Sequence, residues 1–443
     1  MKVLMFTWEY PPDHVGGLGK HVCQLSEAMA AQGTEVHVIA PGKQDADSGG
    51  DGRPFVHHIT PYGVSSPDFL SWVLQLNIAL GERAARLARE QGDFDLVHAH
   101  DWLAAFAGRA FKHAFRVPLV ATIHATEAGR NAGIHNRQQA YISDVEWWLG
   151  YEAWRVICCS QHMKREVMGI FNIPDDKVVV VPNGVNREEF SIADRALSKR
   201  AFAADDQRLV FFIGRLVREK GVHVLLEATR ILLQQGDNIK LVVAGTGPYE
   251  EELKFMAASL GIFSHVYFTG KVSDKTRNHL YRWADASVCP SLYEPFGIVA
   301  LEAMAAGSGL VASDVGGLSE VVEHEVTGLK VPPGDAPALA RAISRLLHDR
   351  RLKENLARRG QKVVKQDYSW SGIAKRTLEV YDRVLSEYRH SPWKAQDQRG
   401  QRRFPYESGA YGRRRRVPAE AVDDRPAQTA GPGGQQAGDG SHS

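Results

Sequence analysis

Cysteine is scarce in this chain, and long apolar stretches and an excess of one charge are absent. Four cysteines among 443 residues do not make a disulfide framework, which indicates a reducing compartment. No uncharged apolar run reaches the ~20 residues that span a bilayer, and the first residues lack the signature of a secretory signal. The 54 basic and 52 acidic side chains nearly cancel, so no overall field attracts nucleic acid or a membrane. These absences predict a cytoplasmic protein that neither binds nucleic acid nor inserts stably into a membrane.

The segment 390–443 differs in composition from the rest of the chain. It is rich in Gly, Gln, Arg and Pro, and it holds nine of the 54 basic residues but only six of the 52 acidic ones. Such a segment cannot bury enough apolar surface to fold, so we predict a disordered tail. The four consecutive arginines at 413–416 could contact an anionic partner, although a tail that only solvates the protein is the simpler interpretation.

The remaining sequence alternates short apolar runs with longer amphipathic ones, which is typical of parallel α/β folds. One such series covers residues 1–190 and a second covers 191–370, with a polar stretch to about residue 207 at their junction. Residues 371–389 read as a closing amphipathic helix. We therefore predict an α/β protein of two doubly wound, Rossmann-like domains that face each other across a cleft. Ligands of such folds bind beyond the carboxyl ends of the strands.

The predicted strands are short and apolar. In the first series they cover residues 2–7, 35–40, 96–100, 119–124, 155–160 and 178–181. In the second series they cover residues 208–214, 239–244, 266–269, 286–289, 309–312 and 328–331. Two amphipathic helices are predicted in the first series, at 21–32 and 71–90.

Glu294 and Glu302 flank a segment that reads as a turn opening into a helix. Helical rise keeps them within about 12 Å of each other along the axis, whereas the two carboxylates of a glycosidase flank a single bond at roughly 5–9.5 Å. The pair is therefore better suited to the two ends of one extended ligand, a sugar and a ribose, with a diphosphate over the helix N-terminus between them. The ordinary interpretation is a loop glutamate and an unrelated helix-surface glutamate.

Two loops that follow the first strand of each series could hold an anion. Gly16, Gly17 and Gly19 precede the first helix, and glycine lets the backbone approach a bound group closely. The pattern is neither Gly-x-Gly-x-x-Gly nor the Gly-Lys-Ser/Thr phosphate loop, and a plain tight turn would also explain it. Arg215 and Lys220 occupy the corresponding loop of the second series, where two cations could clamp a diphosphate leaving group or simply be solvated.

Histidines lie near two strand ends of the first series. His124 closes a predicted strand at the position where a sugar-contacting group belongs. His98 and His100 share one strand face beside Asp101, a pattern that resembles a set of metal ligands. A third well-placed ligand is not apparent from the sequence, so we predict no metal site.

Taken together, these residues resemble those of the retaining glycosyltransferases of family 4, which have the two-domain GT-B fold. The resemblance covers about residues 1–388. Within the family, the chain is most similar to bacterial glycogen and starch synthases and their shorter relatives. The resemblance rests on six ordered motifs: Gly-Gly-Leu-Gly at 16–19, His-Asp-Trp at 100–102, Pro-Asn-Gly-Val at 182–185, Gly-Arg-Leu…Glu-Lys-Gly at 214–221, Ala-Gly-x-Gly-Pro at 244–248 and Glu-x7-Glu at 294–302. The series in this order is far more specific than any one member.

The resemblance implies a donor site in the second domain. Arg215 and Lys220 would bind the donor diphosphate, and Glu294 would hold hydroxyls of the sugar. Glu302 would bind the ribose. Three backbone N–H groups would also face the donor, those of Phe296, Gly297 and Ile298.

The resemblance also implies contributions from the first domain. Gly17 would lie against the phosphates, His124 would face the sugar near the reacting carbon, and Asp101 would contact the acceptor or the sugar. The helix at 371–389 would cross back to the first domain. Catalysis would need no enzyme nucleophile and no cofactor, because the leaving phosphate itself helps to deprotonate an acceptor that attacks from the same face.

We therefore predict a transferase that moves glucose from ADP-glucose or UDP-glucose to an α-1,4-glucan. One departure leaves the donor base and the acceptor open: glycogen synthases carry a lysine just before Gly-Gly-Leu, whereas here the nearest is Lys20, after it. A small-molecule or lipid acceptor is the main rival, and the basic stretch 108–116 offers a slight membrane-facing helix. A nucleotide-sugar epimerase of the same fold is another alternative. A protein that binds sugar nucleotides or glucan without catalysis is disfavoured, because Arg215, Lys220, Glu294 and Glu302 are all present together.

Overall fold

The computed structural model describes residues 1–12, 16–42, 49–61, 64–190 and 198–395. Within them, the first half of the chain forms a sheet of seven parallel strands in the order β3-β2-β1-β4-β5-β6-β7. These strands are β1 (Lys2–Phe6), β2 (Glu35–Pro41), β3 (Phe55–Ile59), β4 (Leu96–His100), β5 (Leu119–Ile123), β6 (Arg155–Cys158) and β7 (Val178–Val180).

The second half of the described chain forms a separate sheet of six parallel strands in the order β10-β9-β8-β11-β12-β13. These strands are β8 (Arg208–Ile213), β9 (Ile239–Ala244), β10 (Val266–Gly270), β11 (Ala286–Cys289), β12 (Leu310–Ser313) and β13 (Leu329–Val331). Both sheets reverse their strand order next to their first strand, between β1 and β4 and between β8 and β11. The prediction of two doubly wound α/β domains is confirmed.

Helices connect the parallel strands. Those in the first half are α1 (Gly17–Ala30), α2 (Phe69–Gln91), α3 (Ala105–Phe115), α4 (Glu127–Arg130), α5 (Arg137–Glu152) and α6 (Gln161–Phe171). Those in the second half are α7 (Val222–Gln234), α8 (Glu250–Ser259), α9 (Asp274–Trp283), α10 (Ile298–Ala306), α11 (Leu318–Val321), α12 (Ala336–His348), α13 (Arg350–Asp367), α14 (Trp370–Arg389) and α15 (Pro392–Ala395). None of the helices in the described ranges has both the length and the apolar composition of a membrane span.

The central strands are buried on both faces, because helices cover both sides of each sheet. All five residues of β4 and all five of β5 are buried, which explains why the sequence shows them as continuous apolar runs. The buried polar residues of these two strands are His98 and His100 of β4 and Thr122 of β5. The two histidine rings lie in the interior at the carboxyl end of the first sheet, where a ligand site is expected.

The strand β3 was missed by the sequence interpretation. Its sequence, Phe-Val-His-His-Ile, has two adjacent histidines and does not read as an apolar run. In the structure, His57 Nε2 and His37 Nδ1 of β2 share a hydrogen bond at 3.0 Å. The Phe55 ring stacks on the His37 ring. Contacts with the neighbouring strand β2 therefore stabilise β3, although its own sequence has no continuous apolar run.

The helix α14 packs against α1 of the first half. Its Tyr381 hydroxyl lies 2.6 Å from Nδ1 of His98, and its Glu387 accepts a hydrogen bond from the Trp154 indole at 2.8 Å. Residues 390–395, which the sequence assigned to the tail, include α15, whose Trp393 ring lies 4.8 Å from the guanidinium of Arg116. The remainder of the predicted tail, 396–443, lies outside the described residues.

Candidate active site

Side chains and backbone groups bridge the two halves of the molecule near the carboxyl ends of both sheets. The Ser160 hydroxyl at the end of β6 donates to the Pro295 carbonyl at 2.7 Å. The Tyr293 hydroxyl donates to Glu166 of α6 at 2.8 Å. In addition, the carboxylate of Glu320 accepts from the first N–H groups of α6 at 2.7 and 2.8 Å. The loop 290–297 of the second half is therefore held against the first sheet.

Within the second half, Lys220 and Glu294 form an ion pair. Lys220 Nζ lies 2.8 Å from Glu294 Oε2, which also accepts from the Ser291 hydroxyl at 3.1 Å. The two loops approach closely because residue 221 is glycine: its φ is +70°, and a Cβ there would lie 1.9 Å from the Pro290 carbonyl oxygen. Only glycine fits this position, so the Gly at the end of the 214–221 motif brings Lys220 to Glu294.

Some of the charged groups around this ion pair have partners, and others do not. Glu294 receives both hydrogen bonds on Oε2, and within the described residues its Oε1 accepts none. Arg215 is exposed, and its guanidinium forms no ion pair with any residue that the structure describes. A free cation, a paired cation and a free carboxylate oxygen therefore lie on two loops that meet. This combination can bind a diphosphate and a polyhydroxyl group together.

The helix α10 begins beside this pair, with Gly297 as its N-cap at φ +101°. A Cβ on Gly297 would lie 2.5 Å from Leu318, so this position also requires glycine. Phe296, just before the N-cap, is buried in the core. Gly17 of the first half approaches the same point, since a Cβ on Gly17 would lie 3.7 Å from Ile298 Cδ1. The start of α10, whose first N–H groups have no partner within the helix, therefore lies close to the first domain.

Glu302, further along α10, is almost fully buried and multiply bonded. Its Oε1 accepts from Lys20 Nζ of α1 at 2.7 Å and lies 3.5 Å from Arg277, and its Oε2 accepts from the Tyr281 hydroxyl at 3.1 Å. Burial opposes ionisation, but the charges of Lys20 and Arg277 outweigh it and hold the pKa of Glu302 below its usual value. Glu302 is therefore an anion, bound by a lysine of the other domain.

The partners of Glu302 were not foreseen from the sequence. Arg277 and Tyr281 are four residues apart on α9 and so share one face of that helix. This spacing could have indicated that both side chains contact the same partner. The sequence interpretation noted Lys20 only because it follows the glycine motif, whereas glycogen synthases carry a lysine before it. Its contact with a residue 282 positions later depends on how the two domains meet.

In the first half, His124 and Asp101 lie together at the ends of β4 and β5. Asp101 Oδ1 accepts from the backbone N–H of His124 at 2.8 Å, and its Oδ2 lies 3.9 Å from Arg130. Burial raises the pKa of Asp101 to about 6, against the opposing effects of Arg130 and this N–H. Burial, aided by the charge of Arg130, lowers the pKa of His124 to about 3. His124 is a neutral imidazole at pH 7.

The sequence interpretation missed the neighbours of His124. His100 Nδ1 lies 3.3 Å from His124 Nε2, and the His21 ring of α1 has its centroid 4.8 Å from that of His124. Burial holds the pKa values of His21, His98 and His100 well below the usual range. His98, which the strand pattern paired with His100 as a candidate metal ligand, instead bonds to Tyr381 and to Thr122.

Glu9 is another residue that the sequence interpretation missed. Its buried carboxylate accepts from the N–H groups of Gly16 and Gly19, each at 3.0 Å, and so caps the start of α1. These two N–H groups of the glycine loop are already satisfied by the protein. Among the loop glycines, Gly17 is the one that stands exposed at the cleft next to Ile298.

Two protein-family models match the two halves of the chain. Residues 15–189 match the family described as Glycosyltransferase Family 4. Residues 194–363 match the family described as Glycosyl transferases group 1. The boundary between the matches falls in the polar stretch that separates the two sheets.

Individual proteins extend this similarity over the full folded length. An uncharacterised glycosyltransferase of Methanocaldococcus jannaschii is 39% identical over 86% of this chain and 98% of its own. A glycogen synthase of Mycobacterium tuberculosis is 34% identical over 86% and 94%, and a phosphatidyl-myo-inositol mannosyltransferase of Mycobacterium leprae is 32% identical over 85% and 96%.

Among solved structures, a sucrose-phosphate synthase from Thermosynechococcus elongatus superposes with a TM-score of 0.76 over 87% of this chain and 99% of its own, at 24% identity. This likeness shows the two-domain GT-B fold. The identity to the relatives, spread over nearly the whole of each of them, shows the family as well. The chain therefore belongs to the glycosyltransferases of family 4, and it is an enzyme of that class.

Proposed function

We propose that this protein is a retaining glucosyltransferase that extends an α-1,4-glucan from ADP-glucose or UDP-glucose. The observation that carries the proposal is the meeting of Arg215, Lys220 and Glu294 beside the start of α10. A nucleotide-diphosphate sugar needs cations for its diphosphate and an acceptor for its sugar hydroxyls, and these loops supply both. Glycogen synthase is also among the relatives with the higher identities.

The donor would lie along α10. Arg215 and Lys220 would neutralise the diphosphate, and the free Oε1 of Glu294 would accept hydrogen bonds from the sugar. The N–H groups at the start of the helix would add to the binding of the phosphates. These groups are those of Phe296, Gly297 and Ile298, with Gly17 closing the other side.

Glu302 would take the ribose at the far end of the donor. Its carboxylate is ionised, which strengthens hydrogen bonds accepted from hydroxyls, and Lys20 Nζ lies 2.7 Å from its Oε1. The ribose would therefore share Oε1 with Lys20 or displace it, while Arg277 and Tyr281 continue to hold Glu302 in place. Donor binding and the approach of the two domains are coupled in this proposal, because one carboxylate serves both.

The first domain would present the sugar to its acceptor. His124, a neutral imidazole, would contact the sugar near the reacting carbon, and Asp101 would hold the His124 backbone and contact the acceptor or the sugar. The bond from C1 to the donor phosphate would break while the acceptor oxygen attacks from the same face. The departing phosphate would accept the acceptor proton, and Arg215 and Lys220 would stabilise the charge that develops on it.

A lipid or other small acceptor is the second candidate, because a phosphatidyl-myo-inositol mannosyltransferase is nearly as similar to this chain as the glycogen synthase. A membrane-facing helix would need free basic residues. In α3, however, Arg109 and Lys112 both bind Glu152 at 2.9 Å, and His113 lies 3.0 Å from it. The Glu152 carboxylate thus offsets part of the positive charge of this face and engages its basic side chains, which weakens the case for a membrane-bound acceptor, so we favour the glucan.

The test is to incubate the purified protein with ADP-glucose or UDP-glucose, each with and without glycogen, and to follow nucleotide release and glucan growth. Glycogen-dependent release from one donor would establish both the base and the acceptor. Donor binding without glycogen-dependent release would reject the glucan and direct the search to lipid and small-molecule acceptors. Conversion of the donor without any acceptor would identify an epimerase.

A further inference from the structure

Three imidazoles from three separate elements converge at the carboxyl end of the first sheet. His21 comes from α1, His100 from β4 and His124 from the end of β5. One ring nitrogen of each can be chosen so that the three atoms all lie within 4.8 Å of one another. His21 and His100 are buried, with exposed fractions of 5% and 0%.

Several polar atoms around this cluster have no hydrogen-bond partner among the described residues. Both ring nitrogens of His21 are unpaired, and so is the side-chain oxygen of Asn183. Burial lowers the pKa of His21, and the nearby Asn183 side chain opposes that shift only in part. Buried polar atoms are rarely left unsatisfied, and an ion or a water that bridges them is a usual explanation.

We propose that His21, His100 and His124 bind a single divalent transition-metal ion, with Zn²⁺ as the best fit. Imidazole nitrogens are preferred ligands of Zn²⁺, and three histidines with one open position form a known type of zinc site. Zn–N bonds of about 2.0–2.1 Å in a tetrahedral site place the ligand atoms about 3.4 Å apart. His100 Nδ1 and His124 Nε2 are already 3.3 Å apart.

His21 completes the site with a small movement of its ring. Closing the remaining gap requires a shift on the order of 1 Å, and no hydrogen bond to a described residue restrains this ring. With one nitrogen on the ion, the other can donate to Asn183 Oδ1, the outer-shell bond that a ligating histidine usually makes. One ion therefore accounts for three atoms that otherwise lack partners.

The test is a titration of tag-free, chelator-treated full-length protein with Zn²⁺ in competition with a chromophoric chelator. Wild type should bind one ion per chain. His21→Gln and His100→Gln should weaken binding at least about 10-fold, and Asn183→Ala should weaken it about 10-fold through the outer shell. His223→Gln is the matched control, because His223 is a half-buried histidine on α7 with an unpaired Nδ1, and it should bind Zn²⁺ like wild type.

Co²⁺ supplies a second readout that a loosely bound ion would not give. Wild type loaded with Co²⁺ should show the visible absorption of a four-coordinate ion, and His21→Gln should lose it. Thermal unfolding of the metal-free variants shows whether they are folded. Wild type that binds Zn²⁺ no better than a folded His21→Gln would overturn the proposal, and so would binding that is equally lost in His223→Gln.

An ion at this site would engage His124 and remove it from the sugar. This consequence rests on the proposed function, whereas the binding measurements do not, so the two can fail separately. Zn²⁺ should therefore inhibit glucose transfer in wild type and in His223→Gln, and a chelator should restore the activity. Binding of Zn²⁺ without inhibition would preserve the metal site and reject the placement of His124 against the sugar.

Discussion

The two halves of the molecule share one strand order around the reversal point but carry opposite chemistry there. Beyond β8 and β11, the second half presents ions: Arg215, and Lys220 paired with Glu294. At the ends of β4 and β5, the first half presents neutral rings, those of the buried His100 and the half-buried His124. The carboxyl edge of the second sheet thus forms a charged wall of the site, and the carboxyl edge of the first sheet forms a largely uncharged wall.

Burial has opposite outcomes on the two walls because the neighbours differ. Asp101 of the first half is buried with one distant cation, at 3.9 Å, and its pKa rises to about 6. Glu302 of the second half is just as buried, but Lys20 and Arg277 hold its pKa below the usual value. Desolvation alone therefore does not fix the charge of a buried carboxylate; the number of cations within reach decides it.

The largest expected effect comes from removing the carboxylate of the charged wall. Glu294→Gln should lower the rate of sugar transfer about 10²–10³-fold, because Gln cannot match the charge that holds the sugar and orients Lys220. The initial rate of transfer at saturating donor measures it. Glu227→Gln, an exposed glutamate on α7, is the control and should retain full activity. Wild-type activity in Glu294→Gln would remove this residue from the site.

The next effect concerns the cations of the loop 214–221, which are Arg215, Arg218 and Lys220. Lys220→Met should weaken the binding of a nucleoside diphosphate about 10–100-fold, since a partly buried cation would no longer face the diphosphate. Isothermal calorimetry with ADP and with UDP provides the measurement. Arg218→Met changes an exposed cation of the same turn and should shift binding less than about 3-fold. If both variants lose the same affinity for the nucleotide, the loop attracts the diphosphate only through its overall positive charge, and Lys220 makes no specific contact.

The first half offers a test through Glu146, a buried carboxyl on α5 that accepts from the Glu127 N–H at 2.9 Å. Burial raises its pKa to about 8, whereas the unfolded chain has the ordinary lower value. Between these values the folded state binds more protons, so the free energy of unfolding contributed by this group falls as pH rises through that window.

Glu146→Gln should remove this loss of stability, because the amide oxygen can still accept from Glu127. We expect the variant to gain about 3 kcal/mol relative to wild type between pH 5 and pH 8. Urea unfolding at both pH values measures the difference. An identical pH dependence in the two proteins would show that Glu146 is ionised in the folded protein at neutral pH.

The smallest effect tests the contact between the two walls. Lys20→Met should lower the free energy of unfolding by about 1 kcal/mol, because Glu302 keeps Arg277 and Tyr281 as partners. Lys254→Met breaks ion pairs with Glu250 and Glu251 on the surface of α8 and should change stability by less than about 0.5 kcal/mol. Denaturant unfolding followed by tryptophan fluorescence compares the two. If both variants lose the same amount, the Lys20 contact is no stronger than a surface ion pair.

Much of the fold could be predicted from the sequence because central parallel strands have a strong local signal. The strands β4, β9 and β11 were predicted with the bounds that the structure gives. The strand β3 was missed because its pairing depends on His37 of β2, which hydrogen-bonds to His57 and stacks on Phe55, contacts that no local pattern contains. The loops that carry Arg215, Lys220 and Glu294 were correctly placed after strands, since the glycines that shape them are visible in the sequence.

By itself, the sequence determined which residues follow each strand, and therefore which chemistry each domain offers at its open edge. Glycine at 221 and 297 fixed the turns, because no other residue fits there. The tertiary structure alone decided the contacts between elements far apart in the chain. Lys20 meets Glu302, and His21 meets His100 and His124, because α1 lies where the two sheets approach each other. Side-chain charge and hydrogen bonding depend on such neighbours, and a sequence read locally does not contain them.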